Sequence, residues 1–192
     1  MNAMILQESS RGLDAFTAES GLLRRRLLFF NEEVNAESCN RLIEYLLYLD
    51  MEEPGKEITL CINSPGGEVG SGLAVCDVMK MIESPVRTVC TGLAASMAAV
   101  IFSCGARREL LPTSKVMIHE PRLNGQGGVR RAQELEQEAE QMKETREILA
   151  GILAKNCGRS IGEVREKIRE DYYMDVKQAV EFGIATGVCK KI

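Results

Sequence analysis

Ser96 and His119 are the two residues whose types and positions could support nucleophilic catalysis. Ser96 stands in residues 92–97 (GLAASM), between a strand-like apolar run and a helix-like apolar run, among residues too small to shield its hydroxyl. A serine hydroxyl is a weak nucleophile and needs a base within hydrogen-bond reach, for which an imidazole is suited. The chain contains one histidine. His119 is therefore the only imidazole that this chain can supply to Ser96.

Two backbone groups could stabilise the charge that such an attack creates. The oxygen of an attacked carbonyl becomes negative and needs N–H donors that are already in place. The N–H of Met97, just after the serine at a helix start, could be one donor. The pair Gly66 and Gly67 could offer another, because glycine allows a close backbone approach. A carboxylate should also orient the histidine, but the 28 acidic residues leave its identity open at this point.

Strand-like and helix-like patterns alternate along the chain, which predicts an α/β domain built from parallel βαβ units. Apolar runs typical of strands occupy residues 22–30, 57–62, 86–90 and 115–119. Apolar residues at helical spacing occupy residues 34–50, 67–84 and 94–104, and a polar tip is expected at 107–109. Functional groups of such sheets gather where strands end and helices begin. The glycine pair, Ser96 and His119 all lie at such ends.

The composition narrows the classes of protein. A chain of 192 residues with 45% hydrophobic content can bury a substantial core. The formal net charge of −4 gives no reason to expect nucleic acid or an anionic membrane as a partner. No apolar run approaches the ~20 residues of a membrane-spanning helix, and no signal peptide is evident. The seven cysteines include no CxxC pair, which favours reduced thiols in a cytoplasmic protein, and neither a metal nor a cofactor is expected.

An N-terminal segment and a long helical pattern differ from the rest of the chain. Residues 1–20 are poorly periodic and are expected to form an N-terminal arm, whereas residues 21–192 are expected to form a single domain. Within that domain, residues 129–156 form a long helical pattern rich in charged side chains, which would span about 40 Å. Its sparse apolar stripe suits packing against a second copy of itself.

Four segments in order along the chain carry a resemblance to a known family. They are residues 62–67 (INSPGG), 92–97 (GLAASM), 111–121 (LPTSKVMIHEP) and 170–174 with 179–183 (EDYYM and AVEFG). They resemble ClpP, the proteolytic subunit of the ATP-dependent Clp protease, and the similarity covers nearly the whole chain. The resemblance implies a crotonase/ClpP-like fold of stacked βαβ units, with residues 129–156 as a protruding handle helix.

The resemblance also implies a serine endopeptidase that hydrolyses peptides and unfolded proteins. Ser96 would be the nucleophile, His119 the base and Asp171 the third member of the triad. The N–H groups of Gly67 and Met97 would form the oxyanion hole. Substrate would bind as an added strand beside four residues, which are Gly66, Leu123, Asn124 and Gly125.

Partners follow from the same resemblance. Members of the family form rings of seven subunits, two rings stack into a tetradecamer, and an AAA+ Clp ATPase feeds unfolded polypeptide into the chamber. The docking pocket for that ATPase would include Thr59, Cys61, Glu109 and Cys189. Small or charged side chains at these positions predict weaker burial of a docking loop. Glu170 would lie at the ring–ring interface, where the family often has arginine.

These departures suggest a divergent paralogue and leave two alternatives to the active protease. The chain could be a weakly active structural ring partner of a second ClpP-type subunit. It could also be a crotonase-type acyl-CoA enzyme that shares the sheet and the oxyanion scaffold, although the combination of Ser96, His119 and Asp171 argues against that function.

Overall fold

A seven-stranded sheet forms the centre of the protein. The computed structural model describes residues 4–9, 12–122 and 131–192. The strands of this sheet are β3 (Leu27–Phe30), β4 (Ile58–Ser64), β5 (Val86–Ala95), β6 (Arg107–Leu110), β7 (Lys115–Ile118), β8 (Tyr172–Met174) and β9 (Gly187–Val188). They run in the order β3-β4-β5-β6-β9, with β7 paired to both β5 and β8. Every pairing is parallel except β7 with β8, as expected for an α/β domain.

Helices connect most of these strands and cover the sheet. In the described part of the chain they are α1 (Ala18–Leu23), α2 (Ala36–Glu52), α3 (Val69–Met81), α4 (Met97–Ser103), α5 (Ala132–Cys157), α6 (Ile161–Ile168) and α7 (Val176–Phe182). Strands β4 and β5 are buried along most of their length, on one face by the main core and on the other by a small cluster that includes Cys61 and Val89. This double burial explains why their sequences are continuous apolar runs without alternation. The expected α/β fold is confirmed.

Strand β5 is longer than its sequence predicts, and this changes the position of Ser96. The strand was expected to end at residue 90 and a helix to begin at residue 94, but β5 continues to Ala95 and α4 begins at Met97. Residues 93–95 pair with β7, and Leu93 N–H donates to Asn63 Oδ1 at 3.0 Å. The alanine-rich segment has helix propensity, but pairing to a neighbouring strand overrides it.

Two other expectations were wrong. Residues 107–109 are not a polar tip but part of β6, because β5 and β9 pair with them on either side. The strand expected at 22–30 is restricted to β3, since residues before Leu27 belong to α1 and its turn. Ahead of α1, β1 (Met4–Ser9) and β2 (Gly12–Thr17) form an antiparallel hairpin within the expected N-terminal arm.

Helix α5 extends away from the rest of the domain. Its 26 residues give it a length of about 39 Å. Its buried residues begin only at Leu149, so more than half of the helix has no buried side chain. Leu135 and Ile148 are exposed apolar residues on it. Residues 132–156 of the predicted handle are therefore helical, while residues 129–130 lie outside the described residues. No helix in the described ranges is both long enough and apolar enough to cross a membrane.

Candidate active site

Ser96 occupies a sharp turn between β5 and α4. Its backbone angles are φ 55° and ψ −125°, a combination that residues other than glycine rarely adopt. Its N–H donates to Met117 O at 2.9 Å, and its carbonyl accepts from Ala99 N–H at 3.0 Å. Hydrogen bonds on both sides of the residue hold this strained conformation in place. Strain of this kind is concentrated at functional sites, where it positions a reactive side chain.

His119 and Asp171 are brought together by the antiparallel pairing of β7 with β8. Ile118 pairs with Tyr172 in this register, so the residue after Ile118 and the residue before Tyr172 meet at the same end of the two strands. His119 Nδ1 lies 3.0 Å from Asp171 Oδ1, and His119 Nε2 lies 2.8 Å from Ser96 Oγ. A carboxylate, an imidazole and a hydroxyl therefore form one continuous hydrogen-bonded chain.

The segment that carries His119 is fixed by contacts on its far side. Glu120 N–H donates to Ile168 O at 2.7 Å, at the end of α6. The Glu120 carboxylate lies 3.5 Å from Arg146 on α5. The His119 side chain is 14% exposed, which leaves it accessible from one side, and that of Asp171 is 38% exposed. A substrate can thus reach the imidazole from its exposed side, while the contacts of Glu120 with α6 and α5 fix the segment that carries it.

Gly66 lies directly against the turn of Ser96. It has a φ of 94°, and a Cβ there would be 2.6 Å from Ser96 Cβ and 3.0 Å from Met97 N. Its carbonyl accepts from Val34 N–H at 2.8 Å. Only a residue without a side chain can approach the serine this closely.

Gly67 is held in a different way. It has a φ of 147°, and a Cβ there would be 2.2 Å from Val34 O. Val34 bonds to the residues on either side of Gly67. Its N–H donates to Gly66 O and its carbonyl accepts from Glu68 N–H, both at 2.8 Å. In such a bridge the intervening residue directs its own N–H away from the partner strand. The Gly67 N–H is therefore turned away from Val34.

Met97 begins α4, so its N–H is one of the donors that have no partner within the helix. Its side chain is buried and packs against Gly72 of α3, where a Cβ would be 2.3 Å from Met97 Cγ. The glycine leaves room for this side chain. Packing of the side chain thereby fixes the position of the backbone N–H beside Ser96.

A small apolar pocket opens beside Ser96 and His119. Residues from α3, α4, α5 and α6 supply its wall, and these are Val69, Val100, Leu149, Leu153 and Ile168, with Pro121 at its edge. Apart from His119, none of the described residues that line it carries an ionisable side chain. Sequence reasoning did not find this pocket, because its residues have the same helical spacing as ordinary core residues.

The remaining predicted site residues are distributed elsewhere. Leu123, Asn124 and Gly125 lie outside the described residues. Glu170 is exposed and directly precedes Asp171. The four predicted docking residues lie on β4, on β6 and near the C-terminus. Cys61 and Cys189 share a small buried cluster with Val89. Thr59 is half-buried on β4.

Glu109 in this group is not a free surface charge. Its carboxylate accepts from Arg87 Nε at 2.7 Å, and the Arg87 residue is 8% exposed. The same guanidinium donates to Lys191 O at 2.7 Å. Burial raises the pKa of the Cys61 thiol to about 11. The region is therefore a small apolar cluster flanked by the ion pair of Arg87 and Glu109, whose charges offset each other.

Comparison with known proteins identifies the class and then the family. Residues 10–191 match the family model described as Clp protease. The chain is 39% identical to the protein named ATP-dependent Clp protease proteolytic subunit 1 of Prochlorococcus marinus (strain NATL2A), across 100% of this chain and 97% of that relative. It is 38% identical to the protein named ATP-dependent Clp protease proteolytic subunit 2 of Parasynechococcus marenigrum (strain WH8102), across 100% of this chain and 96% of the relative.

These matches define a peptidase of the hydrolase class. The chain belongs to the Clp protease family, as a member of its proteolytic subunits, and the resemblance seen in the sequence is confirmed. The relatives do not favour the alternatives of an acyl-CoA enzyme or a structural ring partner.

Proposed function

We propose that this chain is a serine endopeptidase subunit of an ATP-dependent Clp protease, and that Ser96, His119 and Asp171 are its catalytic residues. One observation carries the proposal. His119 lies within hydrogen-bond distance of both Ser96 Oγ and Asp171 Oδ1, at 2.8 Å and 3.0 Å from its two ring nitrogens. This is the geometry that a nucleophile, its base and an orienting carboxylate require.

Acylation begins when Ser96 Oγ attacks the carbonyl carbon of the scissile peptide bond. His119 Nε2 takes the hydroxyl proton as the Oγ–C bond forms. Asp171 keeps the proton of the imidazole on Nδ1 beforehand and stabilises the imidazolium afterwards. When the tetrahedral intermediate collapses, the C–N bond breaks and His119 returns the proton to the leaving amine. An ester between Ser96 and the N-terminal part of the substrate remains.

Deacylation repeats these steps with water. His119 takes a proton from a water molecule, whose oxygen attacks the ester carbonyl. Collapse of the second intermediate breaks the bond to Ser96 Oγ, and His119 returns the proton to that oxygen. The products are a carboxylic acid and the free serine. The N–H groups of Gly67 and Met97 are proposed to donate to the oxyanion in both intermediates, and each such donor contributes on the order of 10²–10³ to the rate.

The apolar pocket beside Ser96 is proposed to bind the side chain that precedes the cleaved bond. Burying an aliphatic side chain there would contribute up to about 1.5–3 kcal/mol, the value for complete burial. A charged side chain would lose its hydration in the same pocket without gaining a partner among the described lining residues. The chain is therefore proposed to cleave after apolar residues, with the substrate extended past Gly66 and residues 123–125.

The assembly is proposed from the family. Rings of seven subunits would stack in pairs through α5, with Glu170 at the ring–ring interface, and an AAA+ ATPase would deliver unfolded polypeptides. Relatives named subunit 1 and subunit 2 support a second ClpP-type subunit as a further partner. The region of Thr59, Cys61, Glu109 and Cys189 is the proposed docking surface. The seven free thiols support a reducing compartment such as the cytoplasm.

Replacement of the nucleophile tests this function. Ser96→Ala should reduce hydrolysis of a short fluorogenic peptide by at least a factor of 10³, because no oxygen remains to form the acyl-enzyme. Ser71→Ala is the matched control, since Ser71 is a half-buried serine whose hydroxyl bonds to Glu68 rather than to a histidine. Native mass spectrometry of both variants should show the same assembly. Wild-type rates in Ser96→Ala would contradict the proposed function.

A further inference from the structure

Asp171 receives a second cation besides the histidine. Arg122 Nη2 forms an ion pair with Asp171 Oδ1, the same oxygen that faces His119 Nδ1. The arginine follows the histidine by three positions in a segment that is neither helix nor strand. One carboxylate oxygen is therefore held by two donors from the same segment of chain.

The carboxylate needs such a restraint. The Asp171 side chain is 38% exposed, and rotation about the terminal bond of an aspartate is broad when little packing opposes it. A carboxylate with a single hydrogen bond from an imidazole could turn toward water. A guanidinium on the same oxygen opposes that rotation, because the bond to a charged donor is stronger than a neutral one.

The segment between the two donors is itself held in place. Glu120 is bonded through its N–H to Ile168 O and through its carboxylate to Arg146. Pro121 restricts the backbone before Arg122. The arginine is thus attached to an anchored segment even though its side chain is 62% exposed.

We propose that Arg122 is a positioning residue that keeps Asp171 aligned with His119 from within the same subunit. This inference rests on the proposed function, because it assigns Arg122 a role only if His119 acts as the base for Ser96. Arginine suits the role since it stays protonated at every working pH and never exchanges a proton with the imidazole. Its charge also offsets part of the attraction between Asp171 and an imidazolium, but at an exposed position water screens that effect.

The test compares Arg122→Met, which keeps the length of the side chain and removes its donors, with Arg122→Lys. For Arg122→Met, kcat for a short peptide should fall by about three- to fivefold, the range open to a solvent-exposed ion pair, while KM stays the same. Arg122→Lys should recover most of kcat, because a lysine also donates to Asp171. The matched control is Arg169→Met, which removes an exposed arginine that pairs with Glu166 and should leave kcat unchanged.

Three results would overturn the inference: an unchanged kcat in Arg122→Met, no recovery in Arg122→Lys, or an equal loss in Arg169→Met. A second measurement uses the Asp171→Ala background, where Arg122→Met should cause no further loss in the rate of active-site labelling. An additive loss there would assign Arg122 a role that does not involve Asp171. Ser96→Ala measured in parallel separates the two proposals, because its failure to abolish activity would remove the proposed function itself.

Discussion

Gly66 lies so close to Ser96 that a Cβ on Gly66 would be 2.6 Å from Ser96 Cβ. Gly66→Ala should therefore displace the turn that carries the serine, and its φ of 94° would strain any side chain even if the space were available. We expect kcat/KM for peptide hydrolysis to fall at least 100-fold. Gly70→Ala is the matched control, since nothing lies within 4 Å of a Cβ at Gly70. Comparable activity in the two variants would show that the close contact has no catalytic consequence.

Gly72 supports the proposed oxyanion donor, the N–H of Met97, by leaving room for the Met97 side chain. Gly72→Ala would place a methyl group 2.3 Å from Met97 Cγ, and overpacking of a buried side chain costs about 1–3 kcal/mol. The displaced Met97 would move its N–H away from the carbonyl oxygen of the bound substrate. We expect a lower apparent Tm and a lower kcat, whereas Gly70→Ala on the same helix should keep kcat and raise Tm slightly, because alanine favours helix. A wild-type kcat in Gly72→Ala would separate Met97 from catalysis.

The apolar pocket predicts a preference among substrates. In a set of peptides that differ only in the residue before the cleaved bond, leucine should give at least a tenfold higher kcat/KM than aspartate or lysine. The described residues of the pocket offer burial but no charged partner. Cleavage rates for each peptide can be read by mass spectrometry of the products. Equal rates across the set would assign the pocket no part in substrate binding.

The pair of Arg87 and Glu109 is predicted to stabilise the region around the C-terminus. Arg87→Met removes the guanidinium that is hydrogen-bonded to the mostly buried Glu109 carboxylate, leaves only Arg107 at 3.8 Å beside it, and frees Lys191 O. The expected cost is about 1–3 kcal/mol. The apparent Tm, measured at one fixed protein concentration, should fall. Arg41→Met, which breaks an exposed pair with Glu32, should change it little. A fall no larger than that of the control would show that the Arg87 pair adds nothing to stability.

Cys104 should be the most reactive of the seven thiols. A hydrogen bond from the Cys76 thiol lowers the pKa of Cys104, while burial raises the pKa of thiols such as Cys90 and Cys157. A lower pKa gives more thiolate near neutral pH, and Cys104 is only half-buried. Peptide mapping after brief treatment with iodoacetamide at pH 7 should find Cys104 modified first. Preferential modification of any other cysteine would contradict this order.

The sequence predicted the parts of this protein that depend on local pattern. Continuous apolar runs in the sequence predicted β4 and β7, because a strand buried on both faces does not alternate apolar and polar residues along its length. Because the chain has a single histidine, the sequence predicted that His119 is the partner of Ser96. The third partner had no local signature, because Asp171 reaches the histidine through the register of β7 with β8, and that register is a property of the folded sheet. Only the family resemblance could name it beforehand.

Tertiary contacts account for what the sequence did not predict. The extension of β5 to Ala95 depends on pairing with β7 and on the side chain of Asn63. The strand at residues 107–110 depends on neighbours from β5 and β9. Arg122 and the apolar pocket have ordinary spacing in the sequence, so their position beside the site emerges only from the fold.

The most direct test of the central claim is active-site labelling with a fluorophosphonate, followed by mass spectrometry of the digested protein. The reagent forms a covalent bond only with a serine whose hydroxyl is activated by its base. The account predicts one adduct, on Ser96, with labelling lost in Ser96→Ala and strongly slowed in His119→Ala. Absence of an adduct on Ser96 in the assembled wild-type protein, or labelling that persists at the same rate in His119→Ala, would contradict it.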